Sequence, residues 1–114
     1  MIHIENYIGG QLVKPGSGAY LDNFDPSTGA VYSYIPNSSS TDVDRAVSAA
    51  AGAFPDWSRR SPEHRHDAIM RLVRLIERDI DELAAAESLD NGKPVSLARS
   101  VDIPRAALNF KFYA

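Results

Sequence analysis

The chain has 114 residues, of which 44% are hydrophobic, so it has the length and the apolar content of one ordinary folding unit. Its net charge of −3 leaves no excess of cations for a nucleic-acid backbone or a membrane surface, and we expect neither as a partner. The chain contains no cysteine, which excludes disulfides, thiolate metal sites and thiol nucleophiles within these residues.

The first residues show no targeting signal. Glu5 stands where a secretory signal needs a basic flank followed by an apolar run, and no apolar stretch approaches the ~20 residues of a membrane span. We therefore expect a soluble, cytoplasmic protein. His3 is expected in a frayed terminus without a role.

Two β-hairpins are predicted in the first forty residues, which are rich in Gly, Pro, Ser and Asn. Residues 6–8 and 11–13 flank Gly9-Gly10, and paired glycines accept the positive φ angles of a tight turn. Residues 20–24 and 30–35 flank the sequence Asp-Pro-Ser-Thr-Gly, in which Pro fixes φ and Gly supplies a left-handed exit.

A first helix is predicted over residues 42–54. Thr41 offers a capping hydroxyl, acids follow in the first turn, and Pro55 is expected to end the helix. Apolar residues recur at helical spacing along one stripe: Val43, Ala46, Val47, Ala50 and Phe54.

A second helix start is marked by Ser61-Pro62-Glu63, a capping hydroxyl followed by proline at the first helical position. The apolar pattern continues with a break predicted near residues 79–81, and Asn-Gly-Lys-Pro at 91–94 should stop it. A last helical stretch is predicted from Val95 to the end, kinked or restarted at Pro104. The expected organisation is hairpins over 1–40 and three to four helices over 41–114.

Apart from any resemblance to known proteins, these residues give little evidence of a catalytic, dinucleotide-binding or metal-binding site. Gly16 and Gly18 begin a dinucleotide fingerprint, but Leu21 occupies the third glycine position and a strand follows. His64 and His66 are two apart, which separates them on a helix, so we interpret them as solvated side chains rather than metal ligands.

Four stretches in unbroken order nevertheless resemble the amino-terminal region of the aldehyde dehydrogenase superfamily. They are residues 6–10 (Asn-Tyr-Ile-Gly-Gly), 25–29 (Asp-Pro-Ser-Thr-Gly), 42–57 (from Asp-Val-Asp-Arg-Ala-Val to Trp57) and 87–94 (Glu-Ser-Leu-Asp-Asn-Gly-Lys-Pro). The resemblance implies the family's α/β fold, of which this stretch would be an outer part of the cofactor domain that lacks the parallel Rossmann-type sheet.

The same resemblance implies NAD(P)-dependent oxidation of an aldehyde in a complete enzyme that is a homodimer or homotetramer. In the family a cysteine thiolate attacks the aldehyde, an asparagine helps to hold the oxyanion and a glutamate activates water. All of these residues come later in the family's sequences, so the resemblance places no catalytic or cofactor-binding residue in this chain. The 114 residues alone are expected to be inactive.

The resemblance also assigns two smaller roles by position in the sequence, a cation site and a substrate-binding residue. The resemblance assigns oxygens of Asn23, Phe24 and Asp90 to a monovalent-cation site for sodium or potassium, and hard oxygen ligands suit such an ion. Asp90 has an alternative role as a helix-end acid that bonds to the following turn. Further ligands of such a site would lie beyond residue 114.

Arg105 is the candidate substrate-binding residue. The sequence Asp-Ile-Pro-Arg at 102–105 resembles the branch that acts on muconic-type semialdehydes, in which an arginine can hold a substrate carboxylate by paired hydrogen bonds. The alternative is a surface arginine after a helix-starting proline. For the whole chain, the competing interpretation is a non-catalytic truncated product or a helical interaction module.

Overall fold

The computed structural model describes residues 1–114 and divides them into two compact units. The strands are β1 (Ile2–His3), β2 (Asn6–Ile8), β3 (Gln11–Val13), β4 (Tyr20–Phe24) and β5 (Val31–Pro36). The helices are α1 (Ser40–Arg59), α2 (Pro62–Arg78), α3 (Ile80–Asn91), α4 (Val95–Leu97) and α5 (Ile103–Tyr113), and a π-helical turn over Ala98–Asp102, here called the π-turn, separates the last two. Unit 1 comprises residues 1–24 and 29–59, and unit 2 comprises residues 25–28 and 60–114.

The first predicted hairpin is confirmed in unit 1. Strands β2 and β3 pair antiparallel, with Asn6 opposite Val13 and Ile8 opposite Gln11. Gly9 and Gly10 have φ angles of 61° and 83°. Positive φ at both central positions is the signature of the type I′ turn that matches the twist of the flanking strands.

The second predicted hairpin is also confirmed, but it belongs to a three-stranded sheet in the order β1-β5-β4. Strand β1 pairs parallel to β5, with His3 opposite Tyr34, so the expectation of a frayed terminus at His3 was wrong. The His3 ring packs at 4.8 Å, centroid to centroid, against both Tyr20 and Tyr34. A two-residue strand has no detectable sequence period, and its pairing depends on a partner thirty residues away.

Helix α1 begins one residue earlier than its predicted cap, Thr41. The carbonyl oxygen of Ser39 accepts hydrogen bonds from the backbone N–H groups of Asp42 and Val43 at 3.1 and 3.2 Å. The Asp42 carboxylate in turn accepts the N–H of Ser39 at 2.9 Å. The Asp42 carboxylate thus supplies one of the two side-chain bonds of a capping box, and the hydrogen bonds at the start of the helix are made to Ser39 rather than to Thr41.

Pro55 lies inside α1 and does not end it, which corrects the predicted boundary. A proline inside a helix removes one backbone donor and clashes with the carbonyl one turn earlier, which normally bends the helix or ends it. Residues 55–59 form one further turn, closed by an ion pair between Arg59 and Asp56 at 2.7 Å. Because residues 51–60 are all exposed, the helix can bend locally around the proline without disturbing a packed core.

Unit 2 follows the sequence prediction closely. Ser61 caps α2, since its side-chain oxygen accepts the N–H of His64 at 3.2 Å, and Pro62 is the first helical residue. The predicted break is real, because α2 ends at Arg78 and α3 starts at Ile80. Gly92 ends α3 in the left-handed conformation, with φ of 77°.

Four buried aliphatic residues lie in unit 2 and are mostly small. They are Val73 in α2, Ala84 in α3, Ala98 in the π-turn and Ala107 in α5. Small side chains at these positions let the helices approach closely. Many larger apolar residues, such as Phe54 in unit 1 and Phe112 in unit 2, stay exposed, as expected if these helices are shaped to pack on structure that the chain lacks. None of the helices combines the length and the apolar composition needed to cross a membrane.

Candidate functional site

Arg105 lies in the first turn of α5 and is exposed. It takes part in none of the ion pairs of the chain. Ala107, two positions further along, is buried against the unit, so Arg105 points away from the core. A free guanidinium on a defined helix face is able to bind a carboxylate through two parallel N–H bonds.

The π-turn directly precedes this arginine. The backbone N–H of Ile103 donates to the carbonyl oxygen of Ala98, five residues back, instead of the four of an α-helix. Pro104 follows and has no N–H, so the helical hydrogen-bond pattern is interrupted again at the next position. The sequence predicted a kink or restart at Pro104, and the structure realises it as a π-turn. Such turns occur often at functional sites.

An ion pair holds the end of the π-turn. The ammonium group of Lys93 lies 2.6 Å from the Asp102 carboxylate, and the two side chains are 35% and 26% exposed. This pair connects the loop after α3 to the residue that precedes α5. Sequence reasoning missed it, because charges nine residues apart across two helix boundaries match no helical or strand spacing.

The loop that carries Lys93 is itself well fixed. The Asn91 side-chain oxygen accepts the backbone N–H of Lys93 at 2.8 Å. Gly92 lies so close to Pro26 that an added Cβ would come within 2.9 Å of the proline Cγ. The Asp25 carboxylate organises the turn around Pro26 by accepting the hydroxyl and the backbone N–H of Ser27, and these bonds lower the pKa of Asp25 below the usual range. Lys93 thus extends from a rigid base.

Asn23 and Phe24, two of the predicted cation ligands, lie in β4 of unit 1. The strand register shifts between them, which interrupts the ladder to β5 at this point. The Asn23 side-chain nitrogen donates to the Tyr32 hydroxyl at 2.9 Å and to Ser33 Oγ at 3.2 Å. The side-chain nitrogen is therefore used within the sheet, and the predicted cation ligands are the backbone oxygens of these two residues.

Asp90, the third predicted ligand, is exposed near the end of α3 in unit 2. A set of backbone oxygens and one carboxylate has the hard-donor chemistry that a monovalent cation prefers. No three His, Asp or Glu side chains in the chain are grouped so that they could hold a metal ion. The cation site stays a prediction.

The two glycines of the rejected dinucleotide fingerprint, Gly16 and Gly18, lead into strand β4. A dinucleotide site of this type places its pyrophosphate at the start of a helix. The stretch therefore does not fit a cofactor phosphate.

Comparison with known proteins agrees with the fold and with the motifs. The aldehyde dehydrogenase family model matches residues 12–114. A 2-aminomuconic semialdehyde dehydrogenase from Bos taurus is 50% identical over 114 residues, which are 100% of this chain and 23% of that protein. A long-chain-aldehyde dehydrogenase from an Acinetobacter species is 40% identical over 110 residues, which are 96% of this chain and 22% of that protein.

Solved structures show the same similarity. PnpE in complex with nicotinamide adenine dinucleotide matches with a TM-score of 0.94 at 35% identity, covering 96% of this chain and 23% of that chain. A putative aldehyde dehydrogenase from Burkholderia cenocepacia matches with a TM-score of 0.94 at 34% identity, covering 99% of this chain and 23% of its own. The chain thus spans about a quarter of the length of the curated relatives that it matches. The resemblance seen in the motifs is confirmed: the chain belongs to the aldehyde dehydrogenase family.

Proposed function

We propose that this chain forms part of an NAD(P)-dependent aldehyde dehydrogenase that oxidises a carboxylated semialdehyde to its acid, and that Arg105 binds the substrate's own carboxylate. The exposed, unpaired guanidinium at the start of α5 is the observation that carries this proposal. The identity to 2-aminomuconic semialdehyde dehydrogenases, 45% to 50% against 40% for the long-chain-aldehyde enzyme, supports the same substrate class.

The neighbours of Arg105 on α5 fit such a substrate. Leu108 and Phe112 lie three and seven positions further along, so they share its face of the helix, and they are 62% and 81% exposed. An apolar surface with a single cation suits a short carbon chain that ends in a carboxylate. The guanidinium binds the anionic end of the substrate, and the apolar side chains contact the substrate's carbon atoms between the carboxylate and the aldehyde.

NAD(P)+, when bound, accepts the hydride of the oxidation. The part played by this chain is binding and orientation, since it contains no cysteine and we place the reacting groups elsewhere in the enzyme. By the same family relation we propose that the enzyme is a cytoplasmic homodimer or homotetramer.

The proposal is tested in the aldehyde dehydrogenase that contains this chain. Replacing Arg105 by Ala should raise the KM for a carboxylated semialdehyde by about tenfold or more, since a hydrogen bond between charged groups contributes roughly 1.5–3 kcal/mol. The KM for a neutral aldehyde of equal length should not change. Arg105→Lys keeps the charge but loses the two parallel N–H donors of the guanidinium. Its KM for the carboxylated semialdehyde should lie between those of the wild type and Arg105→Ala. An unchanged preference for carboxylated over neutral aldehydes in Arg105→Ala would overturn the assignment.

A second candidate is a non-catalytic interaction module, and the exposed stripe of α1 favours it. Val43, Val47 and Phe54 are each more than half exposed along one side of this helix. The reading frame beyond Ala114 separates the two functions. A continuation that contains a cysteine-bearing domain supports the enzyme, and a stop codon supports the module.

A further inference from the structure

Asp102 and Arg105 are three residues apart at the start of α5. Asp102 has helical backbone angles, φ of −69° and ψ of −52°, and α5 begins at the next residue. Side chains three apart on a helix are neighbours, and an acid followed by a base at this spacing normally attract each other. Asp102 is therefore the acid placed to pair with Arg105 along the helix.

The structure shows a different pairing. Asp102 is bound by Lys93 at 2.6 Å, and Arg105 takes part in no ion pair. The Lys93–Asp102 pair is partly shielded from water, which strengthens it relative to an ion pair in bulk water. The rigid base of Lys93 at the Gly92 turn also reduces the entropy lost when the two charges meet.

We infer that Lys93 is a positioning residue for substrate specificity: by holding the Asp102 carboxylate it prevents an internal ion pair with Arg105 and leaves the guanidinium available for a substrate carboxylate. This inference rests on the proposed function of Arg105. A substrate that had to displace Asp102 from Arg105 would lose part of its binding free energy, in the way that any competing internal partner lowers affinity.

The inference makes a distinctive prediction for a double variant. Lys93→Met frees Asp102 to pair with Arg105, so the KM for a carboxylated semialdehyde should rise about two- to fivefold, the range set by an exposed ion pair on a helix. Asp102→Asn removes the competing charge and should not raise this KM. Lys93→Met combined with Asp102→Asn should therefore return the KM to the wild-type range, although it carries two changes instead of one.

A purely structural ion pair gives the opposite pattern. If the pair served only to hold the π-turn, Asp102→Asn would be as damaging as Lys93→Met, and the double variant would be no better than either. The values of kcat and of KM for a neutral aldehyde should stay unchanged in all three variants. Lys111→Met is the matched control, because it removes another lysine ion pair, that of Lys111 with Glu77, from α5, the helix that carries Arg105, and should leave the KM unchanged.

The experiment measures both kinetic constants, with carboxylated and neutral aldehydes, in the aldehyde dehydrogenase that contains this chain. An unchanged KM in Lys93→Met, or equal losses in Lys93→Met and the double variant, would overturn the inference. Failure of the proposed function is seen separately, as an Arg105→Ala variant that keeps its preference for carboxylated substrates. Should Arg105→Ala abolish the preference while Lys93→Met does not weaken it, only the inference about Lys93 fails.

Discussion

The Asp42 carboxylate accepts a hydrogen bond from the backbone N–H of Gly16, at 3.0 Å and across 26 positions of sequence. The same carboxylate accepts the N–H and the hydroxyl of Ser39 at 2.9 and 3.1 Å, where α1 begins. Asp42 is only 3% exposed, and it is one of two buried polar residues in the chain. A single side chain thus joins the loop before β4 to the start of the longest helix.

Removing this carboxylate should destabilise unit 1. Asp42→Ala leaves the N–H groups of Gly16 and Ser39 without their acceptor, and the loss of these two partly buried hydrogen bonds and of the contact at the start of α1 lowers stability. We expect the melting temperature of the chain, followed by circular dichroism, to fall by several degrees. Asp44→Ala, an exposed acid in the same turn of α1, is the control and should change it little. Equal effects of the two substitutions would contradict this role for Asp42.

The contribution of Asp42 should depend on pH. The hydrogen bonds from the backbone of Ser39 and then of Gly16 lower the pKa of Asp42 below its ordinary value of 3.8. A lowered pKa in the folded state means that Asp42 stabilises the fold fully above the unfolded-state pKa, and that this stabilisation is lost as the pH falls through the folded-state pKa. Urea unfolding of the wild type and Asp42→Ala should therefore give a difference in unfolding free energy that is constant at neutral pH and shrinks below pH 3.8. If this difference in unfolding free energy grew on acidification, the pKa of Asp42 would be raised in the folded state, and the prediction would be wrong.

Gly92 should tolerate no side chain. Its φ of 77° is left-handed, and an added Cβ would lie 2.9 Å from Cγ of Pro26. Gly92→Ala should lower the unfolding free energy by about 1–3 kcal/mol through backbone strain and this contact. Gly52→Ala is the matched control, because Gly52 lies in α1 with nothing within 4 Å of an added Cβ. That substitution should stabilise the chain by about 0.5–1 kcal/mol, so opposite signs are expected from the same chemical change. An unchanged unfolding free energy in Gly92→Ala would show that the turn can rearrange to accept a side chain.

The features that were predictable from the sequence are those that depend on neighbouring residues. The Gly9-Gly10 turn, the Ser61 cap and the Gly92 stop each need only a few adjacent side chains, and all three are present in the structure. The predicted end of α1 at Pro55 was wrong. The sequence shows the unfavourable effect of a proline inside a helix, but it does not show that one more exposed turn follows it.

The features that were missed depend on contacts between distant residues. Strand β1 exists only because β5 offers it an edge, and the Ile2–His3 pair has no pattern of its own. The Lys93–Asp102 pair requires the Gly92 turn and the π-turn to bring nine residues of chain back on themselves. The role of Arg105 was predicted from the resemblance and stays a prediction; that Lys93, and not Arg105, pairs with Asp102 could be seen only in the structure.

The 114-residue chain should produce no NADH from any aldehyde. It has no cysteine to supply a thiolate, and its glycines at 16 and 18 lead into a strand instead of a phosphate-binding helix start. The role that we propose for Arg105 is binding, and binding without a nucleophile gives no turnover. Absorbance of NADH should be followed with the purified chain, NAD+ and both carboxylated and neutral aldehydes, with a complete aldehyde dehydrogenase as the positive control. Aldehyde-dependent NADH formation by the pure chain, above the rate without protein, would show that these residues contain catalytic groups that we have assigned elsewhere.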